Sequence, residues 1–232
     1  MLWLALIYFI PTFLSFLLIK KPADSKTPAK TDKPRVKFRY KKFTYIGIIK
    51  EPHFIPIWLI FFISIHCGLA VIPLASDIFG NYAISAAVIT ILISLTGIFN
   101  GAGRLAFSAF SDRLRHRIRI YAAIFVLAII GCLLILSGVK FLVAAGVMAI
   151  VSAYGAGFSC LPSNLSDIYG LKDESKIHGM MLTAWAVAGL TGNQMSSFII
   201  GKFNYTILFA VLICLYLLAL AIWWFKLRTD RN

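Results

Sequence analysis

Long apolar segments, separated by polar ones, run along almost the whole chain. The apolar segments cover Leu2–Ile19, Phe54–Ser76, Ala83–Phe110, Ile120–Ser137, Phe141–Pro162, Met180–Gly201 and Tyr205–Phe225. Each is close to the ~20 residues with which an α-helix crosses ~30 Å of hydrocarbon. Because the bilayer core cannot satisfy backbone hydrogen bonds, segments of this length span as helices rather than as strands. The pattern therefore predicts an all-α, polytopic membrane helix bundle of seven spans, the first of them short.

The longest polar segment lies between the first two apolar ones. Lys20–Lys50 holds 11 of the chain's lysines and arginines, and Pro22, Pro28 and Pro34 prevent a continuous helix. Its last part, Phe38–Ile49, mixes basic with apolar residues and can lie on the membrane surface. The pattern predicts a partial helix at residues 1–19, a linker at 20–52, a six-helix half-bundle at 53–226 and a tail at 227–232.

Composition narrows the class of protein. Of the 232 residues, 60% are hydrophobic, whereas a soluble domain has about 45–50%. The net charge of +14 would indicate nucleic acid in a soluble protein, but here the basic residues cluster between apolar segments. We therefore predict the lipid bilayer, and not nucleic acid, as a partner.

The four cysteines are far apart and lack metal-ligand spacing, so we predict small buried side chains, no metal site and no cofactor.

The basic residues also predict an orientation. Of the 23 lysines and arginines, 20 lie on one side of the predicted bundle: in the linker, in Arg113–Arg119, at Lys172 and Lys176, and after Phe225. The opposite side holds only Lys140 and Lys202. By the positive-inside rule, this bias places residues 20–52 and the C-terminus in the cytoplasm of a multi-pass cell-membrane protein.

One arginine, Arg104, lies inside an apolar segment. A charge at that depth costs from ~3 to more than 10 kcal/mol, depending on how the cost is measured. Thr96, Asn100, Arg104 and Ser108 recur at four-residue spacing, which places them on one polar stripe of a helix. Two interpretations remain open: contact with an anionic substrate, or a long side chain that reaches the headgroups or makes a structural hydrogen bond.

The polar turn after this segment resembles a loop signature of the major facilitator superfamily, Gly-x-Leu-x-Asp-Arg-x-Gly-Arg-Lys/Arg. Asp112 and Arg113 match it, Arg117 is the final base, and Ser108 replaces the first glycine. The segment Arg115-His116 stands where the signature has Gly-Arg. A carboxylate beside basic residues at a helix end can pair with them and hold one state of a transporter closed. The alternative is an ordinary basic loop.

Four further segments resemble the oxalate/formate antiporter family. Gly68–Ile72 is similar to its seventh helix, Asn100–Arg104 to its eighth, Tyr154–Gly170 to its tenth with the following loop, and His178–Gly192 to its eleventh. The resemblance implies the C-terminal six-helix half of a twelve-helix fold. Leu2–Ile19 would then be the end of the sixth helix, the linker would join the two halves, and the first five helices would be absent from the chain.

The same resemblance implies a substrate site. Arg104 corresponds to a substrate-contacting arginine, and Asn100, Tyr154, Trp185 and Asn193 are candidate neighbours, although packing or bonding between helices would also explain the last three. Oxalate-type members use a lysine in the eleventh helix as a second anion contact, and no lysine occurs between Met180 and Ile200. A monocarboxylate such as formate or lactate is therefore expected in preference to oxalate.

His66 is a second ionisable residue inside an apolar segment. It can carry a proton in coupled transport or serve as a hydrogen-bonded structural residue. Neither it nor any other residue belongs to a paired carboxylate, a Ser-His-Asp set or a ligand cluster within the spans, so no catalytic residue is predicted and the chain is not expected to be an enzyme.

These features predict transport of a small organic anion by alternating access. In such folds the substrate lies between two six-helix halves, so half a transporter supplies half a site. The chain would need a separately encoded N-terminal half or a second copy of itself. The alternative is a fragment that does not transport: the remnant of a split transporter gene, or a structural membrane partner.

Overall fold

The computed structural model describes residues 2–18, 45–170 and 174–227, with side chains from residue 9 onwards. The chain divides into two compact units, residues 1–33 and 34–232. The first unit contains one apolar helix, α1 (Leu2–Leu18), which includes Pro11 and a stacked pair of rings, Phe9 and Phe13. Most of the predicted linker and the end of the predicted tail lie outside the described residues.

The described part of the second unit is helical wherever it forms regular structure, which confirms the prediction of an all-α membrane bundle. Its helices are α2 (Tyr45–Ile49), α3 (Phe54–Val71), α4 (Ala75–Asn81), α5 (Ala86–Arg113), α6 (Ile120–Leu136), α7 (Lys140–Tyr169), α8 (Glu174–Lys202) and α9 (Tyr205–Ile222). Short 3-10 turns at Ile72–Leu74 and Arg117–Arg119 precede α4 and α6, and a π-helical turn at Trp223–Leu227 follows α9.

Five of these stretches are long and apolar enough to cross a membrane. They are Phe54–Asn81, Ala86–Arg113, Arg117–Leu136, Lys140–Tyr169 and Tyr205–Leu227. α8 has 29 residues, long enough to span, but its polar side chains keep it out of this set. α1, with 17 residues, is the short helix that the sequence predicts.

The predicted segments and the helices differ mainly at their ends. α5 begins at Ala86, three residues after the predicted start, because Ala83 adopts a left-handed conformation (φ 53°) that ends the preceding turn. α7 continues beyond Pro162 to Tyr169, although proline removes one backbone hydrogen bond from the helix. Both α5 and α7 extend past the apolar segment into polar residues, because hydropathy marks the bilayer and not the helix end.

Packing within the second unit is unequal among the helices. α5 packs chiefly on α7, α6 on α7, and α3 on α8, while α9 packs on α6 and α3. In the most apolar stretch of α3, 61% of residues are buried, compared with 6% in α5. α5 therefore forms an open face of the second unit, and that face carries the polar stripe around Arg104.

The cysteines are free thiols in the described part of the chain. Cys67, Cys132 and Cys160 are buried, as the sequence predicts, whereas Cys214 is exposed on α9. The prediction of a buried side chain is therefore wrong for Cys214. Its outward position is compatible with a lipid-facing helix surface, because a thiol behaves as a small apolar group.

Candidate functional site

The site around Arg104 is built on a close approach of α5 to α7. A Cβ atom added to Gly103 would lie 2.8 Å from the Cα of Ser152, and one added to Gly155 would lie 2.6 Å from Oδ1 of Asn100. Only glycine permits these contacts between backbones. Two hydroxyl groups of α7 then donate to carbonyl oxygens of α5: Ser152 to Phe99 and Ser159 to Arg104, both at 3.1 Å. These contacts fix the backbone that carries Arg104.

The Arg104 side chain is held on two sides. Its Nε donates to Oδ1 of Asn100, one turn earlier, at 3.1 Å. Its Cζ lies 5.6 Å from the centroid of the Phe158 ring, within the range of a cation–π contact. Across the described residues, Nη1 and Nη2 form no hydrogen bond or ion pair with another side chain, and the side chain as a whole is exposed. The guanidinium edge is thus available to a carboxylate.

Phe158 connects this arginine to three other helices. Its ring makes edge contacts with Tyr154 on α7, Phe61 on α3 and Trp185 on α8, at centroid distances of 5.4, 5.4 and 5.6 Å. Arg104, Tyr154 and Trp185, all predicted from the sequence, therefore meet at the Phe158 ring, and the predicted Asn100 bonds Nε of that arginine. We call Phe158, Tyr154 and Trp185 the aromatic cluster.

Asn193 lies apart from this cluster. It follows Trp185 by eight residues, which is ~12 Å along α8, and its side chain is exposed. Within residues 45–170 and 174–227, only its backbone carbonyl has a side-chain partner, the hydroxyl of Ser196 at 3.0 Å.

Phe158 is the residue that sequence reasoning missed. Its spacing of four from Tyr154 was the available signal, because that spacing places two aromatic rings on one helix face.

His66 joins α3 to α8. It is 6% exposed, its Nδ1 lies 3.0 Å from Oγ1 of Thr191, and its Nε2 lies 3.3 Å from Sδ of Met195. The Met195 thioether has no proton and can only accept, so the ring donates to it from Nε2. The Thr191 hydroxyl has one proton and two acceptors within reach, Nδ1 of His66 and the Val187 carbonyl at 2.8 Å. A neutral ring therefore accepts at Nδ1, whereas a protonated ring donates there to the Thr191 oxygen.

The loop motif forms a clamp at the end of the half-bundle where α5 ends and α6 begins, here called the basic end. Arg117 lies 3.1 Å from Oδ1 of Asp112 on α5 and 3.1 Å from Oδ1 of Asp167 on α7. Ser108 lies one turn before Asp112 on α5 and is half-buried. Arg113 is exposed at the last position of α5 and takes no part in the clamp.

Asp167 is the member of the clamp that the loop motif did not include. It follows Arg117 by 50 residues, so only the packing of α7 against the loop brings the two together. The Arg117 and Asp167 side chains are 27% and 21% exposed, whereas Asp112 is 64% exposed. The contact with Asp167 is therefore better shielded from water than the contact within the motif itself.

In the described part of the chain, no group of three or more His, Cys, Asp or Glu side chains could hold a metal ion. The exposed Arg104 guanidinium lies beside aromatic rings, and this arrangement suits the binding of a small organic anion.

Two comparisons relate the chain to known proteins. Residues 57–232 match the family model described as Major Facilitator Superfamily. The chain is similar to the oxalate:formate antiporter of Oxalobacter formigenes, with 25% identity over 177 residues. That alignment covers 74% of this chain and 41% of the relative. The chain thus spans about two fifths of the length of the curated relative that it matches.

Proposed function

The chain belongs to the major facilitator superfamily, and from this membership we propose that it forms one half of a transporter for small organic anions. Transporters of this architecture hold the substrate near the membrane midplane between two halves, which rock around it. The family match supports the architecture. The name of the relative, oxalate:formate antiporter, supports an anionic substrate.

The observation that carries the proposal is the free edge of the Arg104 guanidinium. Asn100 engages Nε and Phe158 covers one face, while Nη1 and Nη2 have no side-chain partner in the described residues. A carboxylate accepts two parallel N–H bonds from such an edge. The α5 face on which Arg104 lies is open, as a site between two halves requires.

The substrate is a monocarboxylate such as formate or lactate. Between Met180 and Ile200, α8 has no cation, and the side chain it contributes to the aromatic cluster is Trp185. One carboxylate would neutralise Arg104, whereas the second carboxylate of oxalate would stay uncompensated in an environment of low dielectric constant. Aromatic faces favour a ligand whose other end is apolar or very small.

The other half of the site comes from outside this chain. A polar, glycine-containing face such as that of α5 is unfavourable against lipid and suits contact with another helical half. A separately encoded N-terminal half is our first candidate for that partner and a second copy of this chain the other. The alternative function is a fragment or remnant that does not transport, or a structural membrane partner.

Two further roles belong to this proposal. We assign His66 a structural role between α3 and α8, with proton coupling as the alternative. The Arg117 clamp would lie on the cytoplasmic side and hold that side closed in one state of the transport cycle. The bias of lysine and arginine towards the basic end supports this orientation.

A competition measurement tests the substrate class. The transporter, assembled with the half that completes it, is equilibrated with labelled formate, and unlabelled lactate, oxalate or a neutral sugar is added. We expect lactate to displace formate at a concentration at least about tenfold below that of oxalate. Equal displacement by oxalate would contradict the choice of a monocarboxylate, and displacement by the sugar would contradict an anion site altogether.

A further inference from the structure

The last membrane span ends in exposed aromatic residues followed by a cation. Tyr205–Leu227 contains 23 residues, about 34 Å of helix, and Lys226 is its one charged side chain. Trp224 is 50% exposed and Phe225 is 75% exposed. Aromatic rings followed by a lysine at the end of a span are typical of the boundary between hydrocarbon and headgroups.

A hydrogen bond places a second cation at the same depth. The indole N–H of Trp223 donates to the backbone carbonyl of Ile118 at 3.0 Å. Arg119 follows Ile118 directly, is exposed, and ends the turn before α6. The end of α9 and the start of α6 are therefore tied together, and the turns that carry Arg119 and Lys226 adjoin each other.

These two cations differ from Arg117 in what surrounds them. Arg117 is matched by the carboxylates of Asp112 and Asp167. Neither Arg119 nor Lys226 forms an ion pair with any acidic residue within 45–170 and 174–227, and both are exposed. Two unmatched cations next to exposed aromatic rings have the charge and polarity of a phospholipid site. The cations suit the anionic headgroup, and the rings suit the acyl chains beside them.

We propose that Arg119 and Lys226 bind the phosphate of an anionic phospholipid, with Trp224 and Phe225 against its glycerol and upper acyl region. The site lies at the outer edge between α6 and α9 and is separate from the aromatic cluster near Arg104. Anionic lipid attracts basic residues at the membrane surface, and paired cations on adjacent helices add a preference for one headgroup position. The proposal does not depend on Arg104 or on the transport substrate.

Quenching of tryptophan fluorescence by brominated lipids tests it. The full chain is reconstituted with brominated phosphatidylglycerol or brominated phosphatidylcholine, and the ratio of their association constants is measured. We expect a preference of about three- to tenfold for phosphatidylglycerol in the unmodified chain. In the double variant Arg119→Gln/Lys226→Gln, the ratio should fall to about one. The charge-conserving variant Arg119→Lys/Lys226→Arg should keep the preference.

The matched control removes the same charge from the opposite end. Lys140→Gln/Lys202→Gln should retain the preference for phosphatidylglycerol. In a second control, 10 mM inorganic phosphate is added to the unmodified chain. This is roughly a hundredfold below the local headgroup concentration and should not reduce the preference. The proposal would be overturned if the control or the charge-conserving variant lost the preference, or if Arg119→Gln/Lys226→Gln kept it. Removal of the preference by free phosphate would overturn it as well.

Discussion

Arg104 shows how much of the cost of a charge within the membrane its neighbours can offset. That cost is at least about 3 kcal/mol. A hydrogen bond from the charged group to Asn100 contributes about 1.5–3 kcal/mol, and a cation–π contact with Phe158 contributes about 0.5–2 kcal/mol. These contacts offset the lowest estimates of the cost but not the higher ones. A bound anion would supply the difference, because it neutralises the charge itself.

At His66, replacement by asparagine separates a structural role from proton transfer. Asparagine keeps a polar group near the position of Nδ1, so it can still form a hydrogen bond with Thr191, but it cannot be protonated. We expect His66→Asn to retain the dependence of transport on pH, whereas His66→Ala should lower stability by about 1–3 kcal/mol because it leaves a cavity. A flat pH profile for a folded His66→Asn variant would favour proton coupling instead.

At the scale of the elements, the pairing of α5 with α7 determines where Arg104 is held. Gly103→Ala should destabilise the folded state by about 1–3 kcal/mol, because the added methyl group meets the backbone of Ser152, which cannot rotate away. The matched control is Gly97→Ala on the same helix, where nothing lies within 4 Å. Denaturant unfolding in micelles measures both, and equal stability for the two variants would contradict the described packing.

The clamp at the basic end predicts an order of effects. Asp167→Asn should destabilise the half-bundle more than Asp112→Asn, because Asp167 is better shielded from water. We expect about 1–3 kcal/mol for Asp167→Asn, and at most about 1 kcal/mol for the exposed Asp112→Asn. Thermal unfolding of both variants at low and high salt provides the comparison. The reverse order would mean that Asp112 is the main partner of Arg117.

Sequence predicted the type of these elements better than their ends or their contacts. The length of an apolar segment identifies a span because the helix must cross the hydrocarbon core of the bilayer. It does not identify the helix end: α7 continues for seven residues after Pro162, outside the apolar segment. Asp112 could be predicted from a local motif, whereas Asp167 could not, because it meets Arg117 only through folding. Phe158 was missed for the same reason: its role arises from three helices that are distant in sequence.

At the scale of the whole molecule, orientation can be tested independently of activity. Reporter domains active only in the cytoplasm are fused after Asn232, inserted near Lys30, or fused after Ser137. The bias of basic residues predicts activity at the first two positions and silence at the third. Activity after Ser137 would reverse the orientation and place the Arg117 clamp on the other side of the membrane.

The whole-molecule proposal is that this half-bundle contributes Arg104 to a site for monocarboxylates. Arg104→Lys keeps the charge but loses the planar fork, so binding should weaken sharply. Arg104→Gln removes the charge and should weaken binding by about 2–5 kcal/mol, roughly 30-fold to several thousand-fold. If the guanidinium merely reached the headgroups, Arg104→Gln would leave affinity unchanged and insertion equal or better.

Equilibrium binding of labelled monocarboxylate to the assembled transporter decides between these outcomes. The unmodified protein, Arg104→Lys and Arg104→Gln are compared after their helical content has been matched. A control with Lys140→Gln removes a charge at the start of α7, at the end of the half-bundle opposite the basic end, and should bind like the unmodified protein. We predict that Arg104→Gln binds at least about 30-fold more weakly. Binding by Arg104→Gln within about twofold of the unmodified protein would contradict the proposed anion site.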